Sequence, residues 1–285
     1  MLLVIFNKSA GKGKTKGVVG KLCDELHDLG VSCKKVEKAD FTRKTVDNLF
    51  ENGNVTRVII CGGDGTVNRT INTLYDYLQD IEIGIVPCGY GNLIAKSLDE
   101  PASLDSFLSD SYHSDLPEVK VGKANGRIFL NVVSIGSTAD TVATVESFRR
   151  TPPGSVIYRA LGGIFTHTIF FFLIQFKILF LYVFRDYPSS MAWMRTNSES
   201  RENPFALFTG VRETIGQYKS LYLPRTHFIP WKKDHSPVNS REYTIEHDHP
   251  FFWQTDGEPH EKTRTLRISF DSKKLKLATI QIDCK

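Results

Sequence analysis

Cys61-Gly62-Gly63-Asp64-Gly65-Thr66-Val67-Asn68 decides how this chain is read. Before it stands the apolar run Val55 to Ile60, which has the pattern of a buried strand ending in glycines. After it Ile71, Leu74, Tyr75 and Leu78 recur at the three- and four-residue spacing of one helix face. The local reading is strand, glycine-rich turn, helix. Glycines let several backbone N–H groups converge on one point, and a helix N-terminus adds positive partial charge there. Such a turn suits a phosphate. Asp64 is out of place in a pure anion site. It makes sense beside a phosphate if it meets a metal ion or takes a proton from an attacking hydroxyl. The competing reading is an ordinary tight turn, in which Asp favours left-handed backbone.

Two further glycine-rich stretches also follow predicted strands. Leu2 to Phe6 is continuously apolar and leads into Asn7-Lys8-Ser9-Ala10-Gly11-Lys12-Gly13-Lys14-Thr15. A helix with Val18, Val19, Leu22, Leu26 and Leu29 on one face comes next, stopped by Gly30. Gly13-Lys14-Thr15 is not a Walker loop, because Lys8 occupies the position where that pattern needs its first glycine. Amides and lysines still suit phosphates, with a solvated lysine turn as the alternative. Ile81 to Val86 reads as another strand and ends in Pro87-Cys88-Gly89-Tyr90-Gly91-Asn92-Leu93-Ile94-Ala95, where Asn92 can open a helix or meet a nucleotide. A weak strand over Val31 to Val36 and a helix over Ala39 to Asn52 complete the alternation. Strands alternating with helices predict a parallel, doubly wound α/β sheet, and such sheets bind ligands at the carboxyl ends of their strands. All three loops would then line one edge.

Length and composition agree. The chain has 285 residues, enough for one large domain or two modest ones. Its net charge of +4, from 36 basic and 32 acidic residues, is no nucleic-acid signature and is compatible with nucleotides or an anionic membrane surface. The five cysteines are scattered, which fits reduced thiols in an intracellular protein. Met1 to Phe6 is too short for a signal peptide and reads as a first strand.

After about Leu116 the pattern changes. Glu118 to Gly122, Arg127 to Ile135, Phe205 to Gly210, Ser220 to Leu223, Glu242 to Ile245, Phe251 to Gln254, Leu266 to Phe270 and Leu275 to Ile282 read as strands without regular interleaved helices. We therefore divide the chain into an α/β domain over 1–116 and a mostly β domain over 117–285. The most apolar region, Ser155 to Phe184, reads as a helix to about Ile174, a turn, and a strand over Lys177 to Phe184. His167, Gln175, Lys177 and Arg185 interrupt it, whereas a membrane-crossing helix needs about 20 apolar residues. A helix this greasy suggests an acyl-chain pocket or a membrane-facing gate, against the alternative of a plain core helix. His247-Asp248-His249 places two rings on one side of a strand, a metal pair with His260 in principle, but no metal is expected there. Thr255-Asp256-Gly257-Glu258 has the look of a hairpin turn.

Gly62-Gly63-Asp64-Gly65-Thr66 followed by Val67-Asn68 resembles the nucleotide-binding loop of the diacylglycerol kinase and sphingosine kinase superfamily, a core shared with NAD kinases and loosely with phosphofructokinases. The first loop resembles the Asn-Pro-x-Ala-Gly-x-Gly-Lys opening of lipid kinases, with Lys8 in place of proline, a change in stiffness more than in chemistry. Pro87 to Asn92 resembles their Pro-x-Gly-x-Gly-Asn element, which NAD kinases lack. The resemblance implies a second, β-sandwich domain, a cleft between the two, and transfer of the γ-phosphoryl group of ATP to a lipid hydroxyl with Mg²⁺ present. It implies that Asn7, Gly11, Gly13 and Lys14 surround phosphates, that Gly63, Gly65 and Thr66 cradle them, and that Asn92 helps hold the nucleotide. Asp64 is the first choice for general base or metal contact. Asp256-Gly257-Glu258 resembles a C-terminal signature that returns to the nucleotide cleft, so Asp256 and Glu258 compete for the same roles. Gly136-Ser137-Thr138-Ala139-Asp140 resembles the stretch of sphingosine kinases whose aspartate pairs with the sphingoid amine. Asp140 is thus either a substrate contact or the cap of the following helix. Relatives also carry an Asp-Gly pair, sometimes tied to a structural metal, where this chain has His227-Phe228-Ile229-Pro230-Trp231-Lys232-Lys233 after Pro224. The expected setting is cytoplasmic and peripherally membrane-associated, with a lipid substrate and no nucleic acid. The rival readings are an NAD kinase-like enzyme and a non-catalytic lipid-binding module.

Overall fold

A computed structural model describes residues 1–98, 101–109, 116, 118–135, 137–184, 191–196, 205–210 and 242–282. The readings at Ser220 to Leu223 and at 227–233 lie outside them. In chain order the first part runs β1 (Leu2–Phe6), α1 (Thr15–Asp28), β2 (Cys33–Glu37), α2 (Arg43–Asn52), β3 (Arg57–Gly62), α3 (Asp64–Thr73), β4 (Glu82–Pro87), α4 (Leu93–Lys96), β5 (Ala102–Ser103) and α5 (Leu104–Leu108). The second part runs β6 (Glu118–Ala124), β7 (Arg127–Phe129), β8 (Val132–Ile135), α6 (Ser137–Arg150), α7 (Pro152–Leu161), α8 (Gly163–Phe184), β9 (Met191–Thr196), β10 (Phe205–Gly210), β11 (Glu242–Thr255) and β12 (Glu258–Gln281).

The first part is the expected parallel sheet. β2, β1, β3 and β4 lie side by side in that order, all parallel. Successive residues of a strand point to opposite faces, and here both faces are covered, which explains the unbroken apolar runs. Leu3 and Ile5 of β1 join Val46 of α2 and Ile71 of α3 in one core cluster. Leu2 and Val4 join Leu22 and Leu26 of α1 and Phe107 of α5 in the other. α1 ends where anticipated: Gly30 has φ +69°, and the Val31 N–H reaches back to the Leu26 carbonyl. α2 starts four residues later than the periodicity suggests, because Thr42 caps it through its hydroxyl.

The second part is antiparallel. Its strands lie in the order β10, β9, β8, β11, β12, with β6 and β7 alongside β12. β12 joins the two parts. It runs antiparallel to β11 and β6, shifts register between Phe270 and Lys274, then lies parallel to β4 from Lys276 to Thr279. The end of the chain is therefore the fifth strand of the N-terminal sheet.

One expected element is corrected. α8 continues through Phe184 as a helix of 22 residues, where a turn and a strand were expected after Ile174. A segment apolar on every side carries no period to separate helix from strand, and no glycine or proline interrupts residues 164–184.

At the opposite end of the sheet from the glycine loops, Arg57 and Glu82 face each other across β3 and β4. The Arg57 Nε donates to Glu82 Oε2 at 2.8 Å and its Nη1 to the Leu108 carbonyl at 3.0 Å, while Glu82 is almost fully buried. Removing one partner of a buried pair strands the other charge. Arg57→Ala should cost about 3 kcal/mol in urea unfolding, and the double change Arg57→Met with Glu82→Leu should cost clearly less. A single-variant loss below about 0.5 kcal/mol would mean the pair holds nothing together.

Candidate active site

The three glycine-rich loops meet. All leave the carboxyl ends of parallel neighbours β1, β3 and β4, and their backbones touch. A Cβ on Gly89 would sit 2.5 Å from the Gly63 Cα, and one on Gly63 would sit 3.0 Å from the Gly89 Cα. Only glycine permits that approach. Gly11 of the first loop lies against the Cys88 carbonyl of the third with φ +58°. Asn7 ties the first loop to the second: its Nδ2 donates to Thr66 Oγ1 at 3.2 Å, and its N–H to the Cys61 carbonyl. Gly13 and Lys14 are exposed just before α1. Thr66 is buried in the first turn of α3, and Gly65 stands beside it.

Asp64 opens α3, where a carboxylate is favoured by the helix dipole. Its Oδ1 accepts from the Ile94 N–H at 2.9 Å, which anchors the start of α4. Its Oδ2 faces Gly91 and takes no hydrogen bond from the described residues. Asn92 does not cap α4. It adopts left-handed backbone at φ +48° and exchanges two hydrogen bonds with Gly89, accepting from its N–H at 2.8 Å and donating to its carbonyl at 3.0 Å. The third loop is thus closed by Asn92 and held to the second by Asp64.

Asp256 and Glu258 stand in different surroundings. Asp256 is the first residue of the turn between β11 and β12, at φ +49°, and is buried. Its Oδ1 accepts from the N–H groups of Asn131 and Val132, at 2.8 and 2.9 Å. Its Oδ2 accepts from the Leu130 N–H and from Asn68 Nδ2, both at 2.8 Å. Burial pushes its pKa up, against these four hydrogen bonds, which pull it down. Asn68 also donates to the Ile128 carbonyl, and Asn72, one turn on, exchanges hydrogen bonds with both backbone groups of Ile128. Asp256, Asn68 and Asn72 therefore bind α3 to the β7–β8 bend and the β11–β12 turn. Glu258, two residues on, reaches the second glycine-rich loop: any side chain at Gly65 would collide with its carboxylate. Its Oε2 accepts from Arg69 Nη2 at 2.8 Å and Nε at 3.2 Å.

Arg69 leads to groups that sequence reasoning missed. Lys38 follows β2, and its N–H donates to the Phe6 carbonyl beside the first loop. Burial pulls its ammonium below the ordinary lysine range, and Arg69 and Arg149 pull the same way, against Glu258 and Glu146. Arg149 donates to Glu146 at 2.8 Å and lies 5.7 Å from the centre of the Tyr158 ring. Tyr158 and Tyr90, the latter in the third loop, both touch Gly163 at the start of α8. Three cations and two carboxylates, from four separate segments, thus gather beside the loops. Their one signal in the sequence is the basic end of α6.

Asp140 lies half-buried in the first turn of α6, and its carbonyl accepts from Thr144 Oγ1. His247, Asp248 and His249 are strand residues of β11 whose side chains are outside the described structure. His260 stacks on Trp253 at 4.1 Å and bonds Thr255 Oγ1 at 2.7 Å, and burial holds it down to about 4. No group of three metal-ligating side chains occurs among the described residues.

Comparison with known proteins agrees with this geometry. Residues 1–124 are similar to the diacylglycerol kinase catalytic domain. A Streptococcus pneumoniae protein provisionally named a lipid kinase is 30% identical over 175 residues, covering 59% of this chain and 58% of its own length. A Staphylococcus saprophyticus protein named diacylglycerol kinase is 27% identical over 162 residues, covering 56% of this chain and 52% of its own length. The chain thus spans a little over half the length of these curated relatives. In fold it is similar to a solved structure from Bacillus anthracis, provisionally named a diacylglycerol kinase, with a TM-score of 0.61 at 18% identity, over 95% of this chain and 93% of that one.

The surroundings of Asp256 make a prediction. Asn in its place would turn an amide N–H toward donors already aimed at the carboxylate, leaving buried groups unpaired at about 1–3 kcal/mol each. Asp256→Asn should lower the melting temperature markedly, and any activity loss should track the fraction unfolded. Unchanged melting with abolished turnover would mark Asp256 as a reacting group instead.

Proposed function

We propose that this protein is an ATP-dependent lipid kinase, which moves the γ-phosphoryl group of ATP onto a lipid hydroxyl. The observation that carries the reading is the convergence of three glycine-rich loops on one point, with the Glu258 carboxylate from the last long strand beside them. Phosphoryl transfer is catalysed mainly by positioning and by neutralising charge. Asn7, Gly11, Gly13 and Lys14 surround the phosphates, and Gly63, Gly65 and Thr66 cradle them with backbone N–H groups at the start of α3. Asn92 shapes the wall of the nucleotide site through its hold on Gly89. Lys38, Arg69 and Arg149 add positive charge from the flank.

Asp64 is our choice for the group that meets the metal or the attacking hydroxyl, through the Oδ2 oxygen left open by the geometry. Mg²⁺ fits this setting. With one free carboxylate oxygen beside a phosphate cradle, most of its ligands come from phosphate and water. Asp256 acts as a positioning residue, and Glu258 is a candidate for contact with the nucleotide at Gly65. We take residues 1–116 as the nucleotide-binding domain and 117–285 as the lipid-binding domain, the latter sending its last strand back into the former. A lipid acceptor places the protein on a membrane surface, at the cytoplasmic side where ATP is found.

Asp140 discriminates between lipids. Its half-buried carboxylate in the first turn of α6 favours a cationic sphingoid base. The names of the relatives favour diacylglycerol.

Labelled ATP offered with sphingosine, diacylglycerol and NAD side by side should place label in the lipid fraction. Label in NAD, or in nothing, would contradict the reading. Asp64→Asn keeps an oxygen for the Ile94 N–H, so melting and ATP binding should stay near wild type while transfer falls by about 10²–10⁴-fold. Asp140→Ala should raise the KM for sphingosine by an amount worth about 2–5 kcal/mol if a desolvated charge pair is lost, with ATP affinity and diacylglycerol turnover unchanged. Equal handling of both lipids by variant and wild type would make Asp140 a helix-terminal residue only.

A further inference from the structure

Two cysteines that stand apart in the sequence meet on the face of the parallel sheet that α1 covers. Cys23 lies on α1 beside Leu22 and Leu26, which face the sheet. Cys33 opens β2 and is in register with Leu2 of β1. Registered residues of parallel strands point to the same face, and Leu2 belongs to the cluster beneath α1. Both cysteines pack against that cluster. Each is half-buried, so small solutes reach both. Their thiols lie within hydrogen-bond reach of each other. Cys61 and Cys88 belong to the same cluster but are buried. Burial, then Cys88 and Cys23, push the Cys61 thiol up, which makes it inert.

We propose that Cys23 and Cys33 form a modification site, where a hydroperoxide makes a reversible disulfide that staples α1 to β2. The Cys23 sulfur attacks the terminal oxygen of the peroxide, and the O–O bond breaks. Cys23 becomes a sulfenic acid, and the other oxygen leaves with the thiol proton as water or an alcohol. The Cys33 sulfur then attacks the sulfenic sulfur, the S–O bond breaks, and the hydroxyl leaves with the Cys33 proton as water. Two thiols are oxidised and one peroxide is reduced. The division of roles follows from the surroundings. Burial and the neighbouring Cys23 push the Cys33 thiol up, against Lys35, which pulls it down. Cys33 therefore keeps its proton and donates it toward the Cys23 sulfur, which favours the nucleophilic thiolate there. The closing step is allowed by position. β2 ends the strand order of the sheet, with β1 as its one strand partner among the described residues. Cys33 is its first residue, so this end of the strand can shift to S–S bonding geometry. The site does not depend on the lipid kinase reading, and neither does its test.

The test is peptide mass mapping of the folded full-length protein after one equivalent of hydrogen peroxide, with the remaining thiols blocked by iodoacetamide. Cleavage after Glu25 puts the two cysteines on different peptides. Wild type should yield these peptides joined, and dithiothreitol should separate them. Cys33→Ser should instead accumulate a sulfenic acid on Cys23, captured by dimedone, and Cys23→Ser should give no such adduct on Cys33. Oxidised wild type should melt at least about 2 °C above the reduced form, because the bond constrains the unfolded chain. Treated wild type with both thiols still free, or with Cys23 joined to a different cysteine, overturns the proposal. Equal melting of the two forms overturns the staple. The wild-type map decides the bond even where a variant fails to fold.

Discussion

One buried carboxylate holds the two parts of this protein in register. Asp256 accepts four hydrogen bonds from two elements, the β7–β8 bend and α3, and its own backbone belongs to the β11–β12 turn. α3 is the helix that begins at the second glycine-rich loop, so its direction sets where the loop amides point. Burying a charge without partners is costly, and here three of the four partners are backbone N–H groups fixed by the β7–β8 bend. The same turn delivers Glu258 to Gly65, two residues downstream. The second glycine-rich loop therefore depends on a contact between residues 188 positions apart in the chain.

The second constraint is backbone proximity. Parallel neighbours release their loops at one edge, so β1, β3 and β4 bring three glycine-rich turns to one place. Glycine lets Gly63 and Gly89 approach within contact of each other's backbone, and three side chains lock the result. Asn7 joins the first loop to the second, Asp64 joins the second to the third, and Asn92 closes the third on itself. Polar side chains spent on loop geometry leave the backbone N–H groups for a ligand, the arrangement expected of a phosphate site.

Much of this was legible in the chain. Apolar runs ending in glycines announced the strands and the loops, and strand–helix alternation announced their common edge. The part played by Asp256 was not legible, because Asp-Gly reads as a hairpin turn and the donors it collects are backbone groups of 130–132. Asn68 and Asn72 look like ordinary polar positions on a helix until Ile128 is placed beside them. Lys38 could not be linked to Arg69 and Arg149 without the fold, since each comes from a different element. The far end of α8 failed for another reason: a run that is apolar throughout has no period to read.

The central claim is that the three loops act together as one nucleotide phosphate site. Hydrogen exchange with and without ATP and Mg²⁺ tests it directly. The account predicts that amides of 8–15, 63–67 and 89–94 gain protection together, at one ATP concentration midpoint. Protection confined to one loop, or protection elsewhere with all three unchanged, would contradict it.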